Sequence, residues 1–304
     1  MVYQQKVRIG EVGKVSGLSN GDIVNAARLV TKGVIYPLGT ERFTGMPNHP
    51  GTLPFIITNY VSPDGLRNEG GKGTEWILDP NQNKVQLGFN SEVMTCGMHS
   101  GTHIDALSHA TMGDDDHWFG GFNAKNDIGF NGVLKCDASS MLPVFSRGVL
   151  LDVAGFKGVD MLPMHDAITE KDIENTLEWE KVKIRKGDVV LIRTGFADNY
   201  PDVVQDPGGY IRPGINKGAA LWLAGKEVVA VGSDTESLEQ CPCTDENNPH
   251  VVHTTLMIEN GIHIMESVLT KRLADDKVYE FLFVALPLTV RGATGSMINP
   301  VAVI

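Results

Sequence analysis

The segment HSGTHIDALSH, residues 99–109, puts three histidines and an aspartate within one short run. His99, His103, Asp105 and His109 all carry odd numbers. An extended chain alternates its side chains between faces, so it would present all four on one side. A helix would align His99 with His103 but turn Asp105 almost to the opposite face. The preceding SEVMTCGM, with Val, Thr, Cys and a nearby glycine, favours a strand. Gly101 lies between the first two histidines on that face and, lacking a side chain, would leave space for an ion. Imidazole and carboxylate together suit a borderline divalent cation such as Zn²⁺, Mn²⁺ or Fe²⁺. Asp105 has two oxygens and could bridge two such ions. The competing reading, histidines satisfied by hydrogen bonds at a strand end, suits one histidine far better than this spacing.

A metal site built from this segment alone would be incomplete or exposed. The best distant candidates are His253, which begins a predicted helix, and Glu266, which ends the extended run after it. Side chains at element ends converge on a site. His263 falls on the opposite strand face from Glu266. His49, His117, His165 and His250 read singly as surface histidines.

The elements that must position these groups alternate between strand and helix. RGVLLDVAGF (147–156), KGDVVLIRTGF (186–196), EVVAVGSDTE (227–236) and EFLFVALPLTV (280–290) are short apolar runs bounded by turn residues, as buried strands are. TEKDIENTLEWEKVKI (169–184) opens as a helix, with Thr169 as N-cap and acidic residues in the first turn. INKGAALWLAGK (215–226) reads as a second helix. HTTLMIENG (253–261) reads as a short one closed by Gly261, and IHIMESV as an extended segment after it. No repeat or low-complexity linker divides the chain, so a single α/β domain with a mixed sheet is expected over residues 1–304. Residues 1–40 are weakly patterned and could wrap over the domain or over a partner subunit. The Gly-rich RNEGGKGTE (67–75) lacks P-loop spacing and reads as a surface loop.

Composition excludes several function classes. The formal net charge is −11, and no basic run is present to meet nucleic-acid phosphates or an anionic membrane surface. No apolar run reaches the roughly 18–20 residues that span a bilayer. The N-terminal residues lack the apolar stretch of a secretory signal, so a cytoplasmic location is expected. Cys96, Cys136, Cys241 and Cys243 are too few and too irregular for a disulfide framework. The Cys241-Pro242-Cys243 spacing is not that of a zinc or redox pair.

With these residues in view, the chain resembles the cyclase family of metal-dependent hydrolases. HSGTHIDALSH fits its H-x-G-T-H-x-D-x-x-x-H signature. VVLIRTGF, AVGSDTES, VVHTTLMIENGIHIMES and TGSMINPVAVI are similar to four further family segments, and GMPNHPG (45–51) resembles its substrate-side loop. The resemblance covers about residues 95–304. It implies a compact α/β fold of the swivelling β/β/α kind. It also implies metal ligation by His99, His103, Asp105, His253 and Glu266, with His109 as the acid–base residue. Two positions depart from the pattern. Leu107 stands where the family usually has proline, and Ser267 follows Glu266 where it usually has asparagine. Neither departure removes a ligand.

The expected activity is metal-dependent hydrolysis, through Zn or Mn as one or two ions per chain. Metal-activated water would attack the carbonyl of a small cyclic amide, imide or lactone, with His109 moving the proton. Hydrolysis of an aryl formamide is the alternative within hydrolases, and a non-catalytic metal-binding protein is the alternative outside them. Phe43, Trp118 and Phe119 are candidates for the substrate pocket, although Trp118 and Phe119 could equally fill the core. The partners expected are a small-molecule substrate and further copies of the chain, as a homodimer or larger homo-oligomer, with neither nucleic acid nor membrane.

Overall fold

The computed structural model describes residues 8, 10–49, 51–70, 75–203 and 210–304. Residues 71–74 of the Gly-rich tract, Pro50 of GMPNHPG and most of the first nine residues lie outside this set. The main sheet is built from β1 (Ile35–Pro37), β4 (His103–Asp105), β5 (Val144–Asp152), β6 (Val189–Arg193), β7 (Ala230–Ser233), β8 (His263–Glu266), β9 (Glu280–Ala285), β10 (Gly295–Met297) and β11 (Val301–Val303). Two further strands, β2 (Ile56–Val61) and β3 (Ser91–Thr95), form a separate antiparallel pair. Spatial order in the main sheet is β1-β11-β9-β5-β6-β7-β8-β4-β10. β5 through β8 run parallel, while β4, β9, β10 and β11 pair antiparallel. This is a mixed α/β architecture.

Strand alternation divides the core in two. Val149 and Leu151 of β5 and Val190 and Ile192 of β6 enter one cluster, with the helices α2 (Glu170–Glu180) and α3 (Lys217–Gly225) packed on it. Leu150, Val189 and Leu191 enter the cluster on the other face. Each such aliphatic side chain contributes about 1.5–3 kcal/mol by leaving water. The parallel order of β5, β6 and β7 requires helical crossovers, and α2 and α3 supply them. The α2 helix starts as expected, with Thr169 and Asp172 capping each other reciprocally. It stops at Lys181, which takes a left-handed conformation, three residues before the end of the segment read from sequence.

Part of the first 40 residues packs on the chain's own core, while Val24, Val30, Val34 and Ile35 are exposed. Val12, Val15 and Leu18 are buried in the second cluster. They are followed by a capped helix, α1 (Asn20–Ala27), that the sequence pattern did not reveal. HTTLMIENG is also modified. A single α-turn, Val251–His253, runs into a wider π-helical turn, Thr254–Glu259. His253 therefore ends the α segment rather than starting a helix. Such insertions change which residues face inward and are frequent at functional sites. No helix among the described residues is long and apolar enough to cross a membrane.

Candidate metal centre and active site

The short strand β4 is the floor of the site. His103 and Asp105, two residues apart, point to one face as alternation requires. On one side β8 pairs Glu266 with His103, and on the other β10 pairs Gly295 with Asp105. The regular strand spans only three of the eleven residues in the segment. His99 and His109 lie in turns on either side, so turn geometry rather than alternation brings them in. Gly101 has φ +61°, and a Cβ there would meet Thr40 Oγ1 at 2.6 Å. Its role is to let the 40–46 segment approach, not to leave room for an ion. His253 enters from the end of the α-turn, immediately before the π-helical turn.

Five side chains converge. His103 Nε2 lies 3.2 Å from Glu266 Oε2 and 3.5 Å from Asp105 Oδ1. His253 Nε2 lies 3.5 Å from Glu266 Oε1 and 4.0 Å from Asp105 Oδ2. His99 Nδ1 approaches Asp105 Oδ1 at 2.9 Å, yet neither atom is hydrogen-bonded, and Asp105 Oδ2 is likewise buried without a partner. Two carboxylate oxygens left in this state cost several kcal/mol unless a cation faces them. The donors fall into two groups that share Asp105: His99, His103 and Asp105 in one, and Asp105, His253 and Glu266 in the other.

The outer hydrogen bonds aim the rings. His103 Nδ1–H donates to the Gly101 carbonyl at 2.8 Å. His253 Nδ1–H donates to Glu239 Oε1 at 2.5 Å. His99 Nε2 meets Thr294 Oγ1 at 3.2 Å. Each contact leaves the other ring nitrogen, the one facing the carboxylates, free to offer a lone pair, as metal-binding histidines require. Burial disfavours a charged His103, but Asp105 and Glu266 outweigh it and raise the imidazole to about 10. Burial would raise the Asp105 carboxyl, yet His109, His103 and His99 hold it well below the usual range. The cluster thus attracts positive charge strongly, and a divalent cation can take the place of protons. His263 stays outside the cluster, its Nδ1–H donating to the Asp105 carbonyl at 2.8 Å.

His109 differs from these five. Its ring centroid is 4.1 Å from that of His99 and 6.3 Å from that of His253, but neither ring nitrogen is hydrogen-bonded to a described residue. The side chain is open to the cavity. The surrounding protein lowers its imidazole below the ordinary range, with the Asp105 carboxylate opposing. A neutral imidazole of this kind can accept a proton.

A cavity of about 910 Å³ opens above the cluster. His99, His103, His109, His253 and Glu266 line its base. Its walls come from two loops, around His49 and around His250, with Tyr210 and Glu236 between them. The residues singled out from sequence for substrate contact sit elsewhere. Trp118 is fully buried in the first core cluster and Phe119 packs against it; a Cβ on Gly261 would stand 2.5 Å from the Phe119 ring. Phe43 does not line the cavity either. Aromatic character next to the motif pointed to the core, not to the ligand.

His49 lies in GMPNHPG, the segment that resembles the family's substrate-side loop, whereas His250, Tyr210, Glu236 and Glu239 were not distinguishable in the sequence as site residues. The His49 ring stands edge-on to Tyr210 at 4.4 Å. Tyr210 also donates its hydroxyl to the Glu236 carbonyl. The Glu236 carboxylate is fixed by Arg212, whose Nε donates to Oε2 at 2.7 Å. Arg212 in turn lies over the Phe196 and Tyr210 rings. Its charge is already committed behind the wall.

A family model for cyclases matches residues 36–240. Kynurenine formamidase from Bacillus thuringiensis (strain Al Hakam) is 29% identical over 211 residues, 68% of this chain and 77% of that one. A crystal structure of a novel cyclase superposes with TM-score 0.83 at 28% identity, covering 97% of this chain and 94% of the other. Isatin hydrolase A from Labrenzia aggregata shares the fold, with TM-score 0.62 at 19% identity over 95% and 96% of the two chains.

Proposed function

The chain belongs to the cyclase family, and on that premise we propose that it is a metal-dependent hydrolase that opens a small cyclic amide, imide or lactone. The observation that carries this reading is the inward convergence of three imidazoles and two carboxylates, with His99 Nδ1 and both Asp105 carboxylate oxygens buried without a hydrogen-bond partner, beside an open fourth imidazole. Zn or Mn, as one or two ions, would be held by His99, His103, Asp105, His253 and Glu266 and would supply Lewis acidity toward a carbonyl and a water of lowered pKa.

The chain's own residues do the rest. Thr294, the Gly101 carbonyl and Glu239 hold three rings in the orientation that exposes a lone pair. His109, whose ring nitrogens have no hydrogen-bond partner among the described residues, takes a proton from the attacking water. It then returns that proton to the leaving nitrogen or oxygen as the C–N or C–O bond breaks. The product is a carboxylate. Among the described lining residues none is Lys or Arg, while the acidic Glu236 and Glu266 are present, which supports an uncharged ring as substrate.

Hydrolysis of an aryl formamide is the second reading, favoured by the kynurenine formamidase relative. The test is turnover of isatin-like imides, lactones and aryl formamides by chelator-treated protein before and after Zn²⁺ or Mn²⁺ is restored. Metal-dependent ring opening is expected. Turnover of none, with an ion that never exchanges, would overturn the hydrolase reading in favour of a structural metal site.

A further inference from the structure

Glu239 lies outside the donor set but touches it. Its side chain is 1% exposed. Oε1 accepts from His253 Nδ1 at 2.5 Å and from His250 Nδ1 at 3.2 Å. Oε2 accepts the Val252 N–H at 3.2 Å. The backbone around it is tightly held, because a Cβ on Gly214 would stand 2.4 Å from the Glu239 carbonyl carbon. Glu239, His250 and His253 could be taken for a third ion site. The direct N–H donations to one shared oxygen argue against that and mark the carboxylate as an outer acceptor.

The three inward-facing imidazoles are not backed alike. Behind His99 stands a hydroxyl, behind His103 a carbonyl, and behind His253 a full carboxylate. A carboxylate accepting from the remote N–H polarises the ring and strengthens its other nitrogen as a donor. Neutral oxygens do this less. The asymmetry follows the division of the donors, since His253 belongs to one group and His99 and His103 to the other.

We infer that Glu239 is a positioning residue that makes two cation positions unequal, strengthening the one formed by Asp105, His253 and Glu266 over the one formed by His99, His103 and Asp105. The same carboxylate holds His250, a half-exposed residue of the cavity wall. This rests on reading the cluster as a metal centre.

The experiment is Zn²⁺ binding to chelator-stripped full chain, with free Zn²⁺ set by a competing chromophoric chelator, for the parent, Glu239→Gln, His99→Ala and His250→Ala. Two classes of equal stoichiometry are expected in the parent. Glu239→Gln should weaken one class about 10–100-fold, His99→Ala should weaken the other, and His250→Ala should alter neither. The melting temperature of each stripped variant separates local from global effects. The inference is overturned by any of four results: a single class in the parent, no effect of Glu239→Gln, equal loss of both classes, or loss in the same class that His99→Ala removes. No Zn²⁺ binding by the parent would instead remove the hydrolase reading on which it stands.

Discussion

Gly295 and His99 are in steric register: a Cβ on Gly295 would stand 2.5 Å from His99 Cε1 and 2.9 Å from both ring nitrogens. Gly295 sits opposite Asp105 in the sheet, so the missing side chain is what lets the His99 ring lie beside that carboxylate. Gly295→Ala is expected to push the ring out and lower metal affinity by about tenfold or more. The overpacking itself should cost about 1–3 kcal/mol. Metal titration with a melting curve on the same sample separates the two effects. Unchanged affinity would show that His99 is not a donor.

His109→Asn removes the one imidazole near the cluster that has open nitrogens. A loss of about 10²–10⁴ in kcat is expected, with bound metal nearly unchanged. His103→Ala should lose metal and activity together. Metal content by elemental analysis, read beside turnover, distinguishes the roles. If His109→Asn also loses the metal, His109 is a ligand.

Removal of the cation should destabilise the fold. Asp105 and Glu266 are both buried at the junction of β4 and β8, and a cation bound to the folded chain alone adds stability by mass action. At a free concentration one hundred times Kd the gain is about 2.7 kcal/mol. Thermal melts of stripped and Zn²⁺-loaded protein measure it, and coincident melts would argue against a cation there.

Glu180 gives the fold a pH dependence far from the site. Burial, with the Asp152 carboxylate adding, raises its carboxyl from 4.5 to about 8, while the Asp152 N–H donating to Oε1 opposes the rise. Oε2 is buried without a partner. The folded value lies above the unfolded one, so the contribution is fully present below pH 4.5 and lost as pH rises through about 8. In that window the slope is about 1.4 kcal/mol per pH unit. Glu180→Gln keeps an acceptor for the Asp152 N–H and should flatten the slope. Urea unfolding of both proteins at pH 5 and pH 8 is the measurement, and parallel pH profiles would sink the assignment.

The sequence alone determined what depends on neighbours along the chain. Two-residue alternation fixed His103 and Asp105 on one face. The Thr169 cap fixed the start of α2, and the apolar runs marked buried strands of the core, though not their directions. The separation of His263 from Glu266 across β8 followed from the same rule. Tertiary structure decided the remainder. His99 and His109 reach the cluster through turns, whose directions alternation cannot predict. Glu266 meets His103 only because β8 and β4 pair in one register, and a slip of one residue would turn it to the other face. Glu239, His250, His49 and Thr294 join the site from segments whose local sequence carries no periodic signal. Trp118 and Phe119 lie beside the motif in the chain yet belong to the core, because chain proximity does not decide which side of a sheet a loop covers. The motif supplied the chemistry, and the sheet register supplied its geometry.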